Sequence, residues 1–444
     1  MAGGTDAPSS EEGAGETTPS SEARAPSVAV VFLRHDAAVL LTRYRGPIEA
    51  FDGRWAGLVG VADGNADGPE DAGLPEGATP VRSGDPFTVG VDGTECTIQP
   101  ALFECPSRDV DLPDGATDPE WVPATGIHRR ETIPGLWRAY DRVRPTPATL
   151  SADAEHGSGY ISIRAMEVVR DAAGTLRAEG VAADAAWADL TAVAEGVLAA
   201  RPSMAALRTR VDRILSRAAA GDRTPATVES IAIEVIDAAL DADRRAAETA
   251  KPLVEGETAL TLSRSGTVLP VLEGAPARVV VAESRPDREG IGVAERVAEA
   301  GVESAVCVDA AIAHVLATEP VDAVVLGADT VLADGTLINK VGSRAAAIAA
   351  NETEVPVYVV TSSDKISPDR TPTFEAGPTE AVYDGDRAID VHNPTFDATP
   401  PAYVTGFLTE DGRLDPAEVA DVAAEHAALA GWRTGGSESG SSSE

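Results

Sequence analysis

From Glu257 onward, short apolar runs alternate with stretches whose apolar residues recur every three or four positions. The runs Thr258 to Leu262, Arg278 to Glu283, Ala305 to Val308, Ala323 to Leu326 and Val355 to Thr361 have the length of strands buried on both faces. Arg288 to Ala300 and Ala310 to Leu316 have helical periodicity between them. Strand–helix alternation at this spacing predicts a doubly wound, Rossmann-like parallel sheet. Before it, from Gly159 to Lys251, apolar residues fall on helical faces: Ile163, Met166 and Val169 or Arg170; Leu207, Val211 and Ile214 or Leu215; Val228, Ile231, Val235 and Ala238. That pattern predicts a bundle of about four helices. Nearer the N-terminus the period drops to that of strands. Val28 to Leu33 and Ala38 to Thr42 form a hairpin across the polar turn Arg34, His35 and Asp36. Further strands follow at Leu58 to Val61, Phe87 to Val89 and Ala101 to Phe103, and one starts at Trp121 and Val122. A closing segment carries Leu136, Trp137 and Tyr140. The fold class is therefore α/β and multi-domain.

Composition sharpens the boundaries. Residues 1–26 and 434–444 are Ser, Gly, Glu and Thr rich and cannot bury a core, so both read as disordered tails. Between them lie an α+β domain at 27–144, a Pro/Thr/Ser linker at 145–158, the helical domain at 159–250 and the sheet domain at 251–433. The chain has 444 residues, 72 acidic and 36 basic, for a formal net charge of -36. This surplus runs along the whole chain, like the solvated surface of a halophilic protein. It argues against direct nucleic-acid binding or a grip on anionic membranes. No apolar run has membrane-spanning length. Three cysteines give no disulfide framework and point to a reducing cytoplasm. The six histidines are scattered, which predicts no metal site. No GxGxxG fingerprint is present, so no dinucleotide cofactor is expected.

One stretch concentrates chemistry. Val321 to Ser343 breaks its strand at Gly327, delivers Asp329 just beyond it, turns at Asp334 and Gly335, and carries Asn339 and Lys340. Lys340 is one of only three lysines, with Lys251 and Lys365. Open α/β sheets bind ligands beyond the carboxyl ends of their strands. Two other loops belong to that edge. Ser263, Arg264, Ser265 and Gly266 follow the first strand and open a helix, an expected cradle of backbone N–H groups for an anion. Glu283, Ser284, Arg285 and Pro286 follow the second, with Arg288 and Gly290 behind. Guanidinium groups, an ammonium and a helix N-terminus suit a phosphate. Asp329 and Glu283 suit sugar hydroxyls or proton transfer. The expected ligand is a phosphorylated small molecule, a sugar phosphate or a nucleotide monophosphate, with ordinary edge salt bridges as the bland alternative.

Two resemblances attach to these residues. The segments VFLRHDAAVLLTRYR, GRWAGLVGVADG and TIPGLWRAYDRV resemble the Nudix hydrolase fold. The resemblance implies a helix with glutamates at REx2E spacing to hold magnesium. NADGPEDAGLPEGATP stands in its place, with Glu70 and Asp71 but with glycines and prolines that break a helix. A degenerate Nudix-like domain without hydrolase activity is implied. An unrelated α+β domain, or residual hydrolysis by displaced carboxylates, is the alternative.

GADTVLADGTLINKVGS, ESRPDREG, LTLSRSGTVL, RPSMAALR and NPTFDATPPAYV together resemble the initiation factor 2B alpha, beta and delta subunit family. That superfamily also holds ribose 1,5-bisphosphate isomerase and methylthioribose 1-phosphate isomerase. The likeness covers about Gly159 to Trp432. The isomerase branches carry a cysteine in the loop after the first sheet strand, as Thr-x-Cys-Asn, paired with the aspartate of Gly-Ala-Asp. Asp329 matches that aspartate, while Ser263 and Arg264 stand at the cysteine and asparagine positions. Ser263, Arg264 and Ser265 together look like the translation-factor branch. The resemblance implies an effector-binding, self-associating protein, dimeric or larger, with a translation initiation factor as partner. Arg264, Arg285 and Lys340 would then meet phosphate and Asp329 hydroxyls. The alternative is an aldose–ketose isomerase with Asp329 catalytic, and a third reading is a Nudix hydrolase.

Overall fold

The structure, a computed structural model, describes residues 27–60, 72–91, 93–374 and 376–433. The tails and the first part of the place expected for the Nudix helix, with Glu70 and Asp71, lie outside the described residues; the rest of that place, 72–80, contains no α-helix and runs into the strand Thr79–Ser83. Contacts divide the chain into two units. The first holds residues through 33, 41–119 and 131–143. The second holds 34–40, 120–130 and everything from 144.

An eight-stranded sheet dominates the N-terminal part. Its hairpin forms as the polarity pattern predicts, with Arg34 opposite Val39 and His35 opposite Ala38. Thr94–Glu104 pairs antiparallel with Phe87–Val91 and with Thr79–Ser83. The helix Leu136–Asp141 follows, with Leu136 and Tyr140 buried.

The second unit is mixed α/β. The stretch read as a linker contains a helix, Pro147–Ala152, closed by a capping box. The Thr149 N–H donates to Thr146 Oγ1 at 3.2 Å and the Thr146 N–H to Thr149 Oγ1 at 2.9 Å. Such reciprocal caps satisfy two otherwise unpaired helix donors. Four longer helices follow: α1 (Ser158–Ala178), α2 (Ala183–Ala200), α3 (Ala205–Ala219) and α4 (Pro225–Ala250). Met166, Leu190, Leu207, Val211, Val228 and Val235 share one core. On α4 the face runs through the buried Ala239, and Ala238 is exposed.

The parallel sheet contains β1 (Thr258–Leu262), β2 (Arg278–Ala282), β3 (Glu303–Cys307), β4 (Ala323–Leu326), β5 (Val357–Val360), β6 (Gly406–Thr409) and β7 (Gly412–Leu414). Its order is 3-2-1-4-5-6-7. Only β7 runs antiparallel to its neighbour. The chain therefore reverses direction across the sheet between β1 and β4, a topological switch point where α/β sheets open a crevice. Successive residues of each strand enter two different cores. Leu260, Val280, Val324 and Val359 line one. Ala259, Val279, Val325 and Val360 line the other, together with Ala246, Ala247 and Ala250 from the last turns of α4. That shared core fixes the bundle to the sheet. Crossover helices α5 (Glu289–Glu299), α6 (Ile312–Thr318) and α7 (Ser343–Glu352) complete the layers. Among the described residues no helix is long and apolar enough to cross a membrane.

Candidate functional site

The loops that leave β1, β2 and β4 emerge side by side. Leu262 pairs with Ala282, and β1 pairs with β4 on its other side. Gly327 lets two of these loops meet, because a β carbon there would press on the side chain of Ser265. Gly290 does the same for the β2 loop. A β carbon at Gly290 would overlap the carbonyl oxygen of Ala282, which cannot swing away. Gly290→Ala is expected to destabilise the fold by about 1–3 kcal/mol through overpacking, read as a lower urea midpoint at unchanged m-value.

Three non-glycine residues here hold left-handed backbone: Ser263 at φ 63°, Ser284 at φ 64° and Arg288 at φ 60°. Such residues concentrate at functional sites, where surrounding bonds over-determine them. The bonds are present. The Ser263 N–H donates to Ser284 Oγ at 2.6 Å. The Asp309 carboxylate, just after β3, accepts from the Ser284 N–H at 2.8 Å and the Arg285 N–H at 2.7 Å.

Ser263 Oγ donates to Glu289 Oε1 at 2.9 Å. Lys340 Nζ lies 2.9 Å from the same oxygen and 3.4 Å from Asp287 Oδ2. Burial works against the Lys340 ammonium, but the hydrogen bond and charge of Glu289, helped by Asp287, outweigh it and raise its pKa above the usual lysine value. A raised pKa means that the stabilisation is whole below the unfolded lysine value and is lost as pH climbs through the folded one. Lys340 is thus a cation throughout the neutral range.

Asp329 is held from two sides. Its N–H donates to the Ile338 carbonyl at 3.1 Å, and its Oδ1 accepts from Ser158 Oγ, at the start of α1, at 3.3 Å. The buried Lys365 Nζ donates to the preceding carbonyl, Ala328, at 2.6 Å. A cavity opens against Asp329, lined also by Ser158, Ser203, Ser367, Asp369 and Phe396. Ser263, Glu289 and Lys340 are outside its lining.

The other residues marked in the sequence separate into different duties. Asn339 Nδ2 donates to Ser343 Oγ at 2.9 Å, and that hydroxyl donates to the Lys340 carbonyl at 2.8 Å, so Asn339 shapes the turn behind Lys340. Arg285 and Arg288 place their Nε atoms 3.5 and 3.3 Å from Glu283, which compensates its charge. Arg264 donates to the Glu155 carbonyl at 3.0 Å. Ser265 Oγ accepts from the Val268 N–H at 3.4 Å, and Gly266 faces open space. Pro270 sits within a helix of only four residues, Leu269–Leu272, too short to carry a macrodipole.

Sequence reasoning missed Glu289, Asp309, Ser158 and Asp397. Asp397 accepts from the Gly342 N–H at 2.9 Å and the Arg344 N–H at 3.2 Å, capping α7. Burial raises its pKa, and those donors offset only part of the rise. Glu289 had one signal, an acidic residue in the first turn of a helix opened by ESRPDREG. Among the described residues no group of three or more His, Cys, Asp or Glu is placed to hold a metal.

Comparison with known proteins agrees with this edge. A ribose 1,5-bisphosphate isomerase of Haloferax volcanii is 32% identical over 307 residues, spanning 63% of this chain and 92% of its own. A methylthioribose-1-phosphate isomerase of Klebsiella pneumoniae is 31% identical over 51% of this chain and 74% of its own. The crystal structure of the Pyrococcus horikoshii translation initiation factor eIF-2B covers 61% of this chain and 95% of its own, at a TM-score of 0.50 and 25% identity. The Initiation factor 2 subunit family matches residues 154–416, more than half of the sequence and every loop described above. The chain belongs to that family.

Proposed function

We propose that the protein is an aldose–ketose isomerase acting on a phosphorylated ribose at the carboxyl edge of β1, β2 and β4. Asp329 exchanges protons with the sugar, and Lys340 supplies positive charge for a phosphate. The observation that carries this reading is the position of Asp329. It lies just beyond β4 and lines a cavity, in a chain whose curated relatives are named ribose 1,5-bisphosphate isomerases. These relatives favour the isomerase over the effector-binding, translation-regulating reading that Ser263 and Arg264 first pointed to.

The effector reading stays second, supported by the missing cysteine and by the likeness to the P. horikoshii factor. In either reading we assign the chain to the cytoplasm as a dimer or larger self-assembly, with a degenerate Nudix-like N-terminal domain. The test is incubation with ribose 1,5-bisphosphate and, separately, methylthioribose 1-phosphate, with the ketose scored by carbonyl trapping. A ketose from either supports the isomerase and names the branch. Saturable binding of both without ketose transfers the protein to the effector reading.

A further inference from the structure

Lys365 is one of three lysines in a chain of 36 basic residues, and the site described so far gives it no chemistry. It closes the turn Ser363–Lys365 beyond the carboxyl end of β5, the strand that pairs with β4. Its side chain is buried, and Nζ donates to the Ala328 carbonyl at 2.6 Å. That carbonyl belongs to the peptide group that leads into Asp329. We infer that Lys365 is a positioning residue for Asp329: one N–H holds the Ala328–Asp329 peptide, and the ammonium charge favours the ionised Asp329 carboxylate. The inference rests on the isomerase reading.

Proximity is the first support. Bond lengths alone keep the Asp329 Cα within about 7 Å of Nζ. A cation so close favours the charged form of a carboxylate. The second support is that this ammonium has no counter-ion of its own. Among the described residues Lys365 makes no salt bridge, and its one hydrogen bond goes to Ala328. The neighbouring Asp364 gives its two oxygens to Arg210 and Arg213. A buried ion without a direct partner costs stability, and a methionine would fill a similar volume without that cost. The third is the choice of residue. An ammonium is a compact point charge with three rotatable donors, whereas a guanidinium is a rigid planar fork. The chain uses arginine at nearly every basic position and lysine here.

The other charges around Asp329 are matched. Asp369 lines the same cavity, and Arg208 Nη1 lies 2.7 Å from its Oδ2. Lys340, on the strand that returns after Asp329, meets Glu289. From α1 comes the uncharged Ser158 hydroxyl. Behind the Asp364 turn, His426 Nδ1 lies 2.8 Å from the Ile366 carbonyl oxygen, and its Nε2 lies 3.4 Å from Arg213 Nη2.

The test is the pH profile of ribose 1,5-bisphosphate turnover by the full chain. Lys365→Met is expected to lower kcat about tenfold or more, with KM changed by less than roughly threefold. It should also move the acid limb of kcat/KM up by about one pH unit, because losing a nearby cation raises the pKa of a carboxylate. Lys365→Gln keeps a donor for the Ala328 carbonyl but no charge. It should move the limb as far while losing less kcat, and it guards against a folding defect in the methionine variant. Lys365→Arg, which keeps the charge, should leave the limb at its wild-type position. A merely structural lysine would lower the urea midpoint and leave the limb in place. An acid limb that stays in place in both Lys365→Met and Lys365→Gln overturns this inference and leaves the isomerase standing. No ketose from the wild-type chain overturns both.

Discussion

Replacing Asp364 with asparagine is expected to destabilise the second unit by about 3–5 kcal/mol. Asp364 lies in the short turn Ser363–Lys365 after β5. It accepts from Arg210 Nε at 2.8 Å and from Arg213 Nη1 at 2.5 Å, both on α3. Arg210 is fully buried and also donates to Ser162 Oγ at 2.7 Å and Ser362 Oγ at 3.3 Å. Asparagine preserves the shape but leaves the buried Arg210 guanidinium without its directly bonded counter-charge. The penalty is the desolvation of that orphaned ion rather than the loss of one contact. Changing Arg210 and Asp364 together to apolar residues of similar size should therefore recover much of the loss.

The same pair sets an acid limit. Burial alone would raise the Asp364 pKa, but Arg210 and Arg213 outweigh it and hold the carboxyl below the usual aspartate range. A depressed folded pKa gives stability that is present above the unfolded value of about 3.9 and fades as pH falls through the folded one. Urea unfolding of wild type and Asp364→Asn should diverge at neutral pH and converge below about pH 4. The gap should survive high salt, because buried pairs are poorly screened.

Asp329→Asn is expected to abolish isomerisation while leaving the fold intact. Asparagine can still accept from Ser158 Oγ, and the backbone bond to Ile338 is untouched. It cannot exchange a proton near neutral pH. Loss of an acid–base group of this kind removes about 10²–10⁴-fold in kcat. Substrate affinity should change little, because the phosphate is met elsewhere. A variant that unfolds at the wild-type urea midpoint yet makes no ketose would separate chemistry from structure.

The parallel sheet was legible because strands buried on both faces leave uninterrupted apolar runs. Val279, Val280 and Val281 read as a strand in any context, and so do Ala323 to Leu326. The place of Asp329 beyond β4 was legible for a related reason: a polar residue just after such a run lies past the carboxyl end of its strand. The partnerships were not legible. Ser263 meets Glu289 across 26 residues, and Arg210 meets Asp364 across 154. Periodicity says nothing about which charged side chains pair at such distances. Reading Arg285 as a phosphate ligand did not weigh Glu283, two residues away on the same loop and 3.5 Å from its Nε. The length of the helix after β1, only Leu269–Leu272, was not legible either, because Pro270 is compatible with the first turn of a longer one. The helix inside the linker segment was not legible, because Thr146 and Thr149 cap each other, which composition alone does not reveal.

A phosphorus and proton NMR time course of ribose 1,5-bisphosphate with the purified chain in high salt tests the central claim most directly. The account predicts that the aldose resonances decay into those of the ketose bisphosphate with wild type and persist with Asp329→Asn. Resonances that broaden with both proteins while no ketose forms would contradict it and leave a binding site in place of an enzyme.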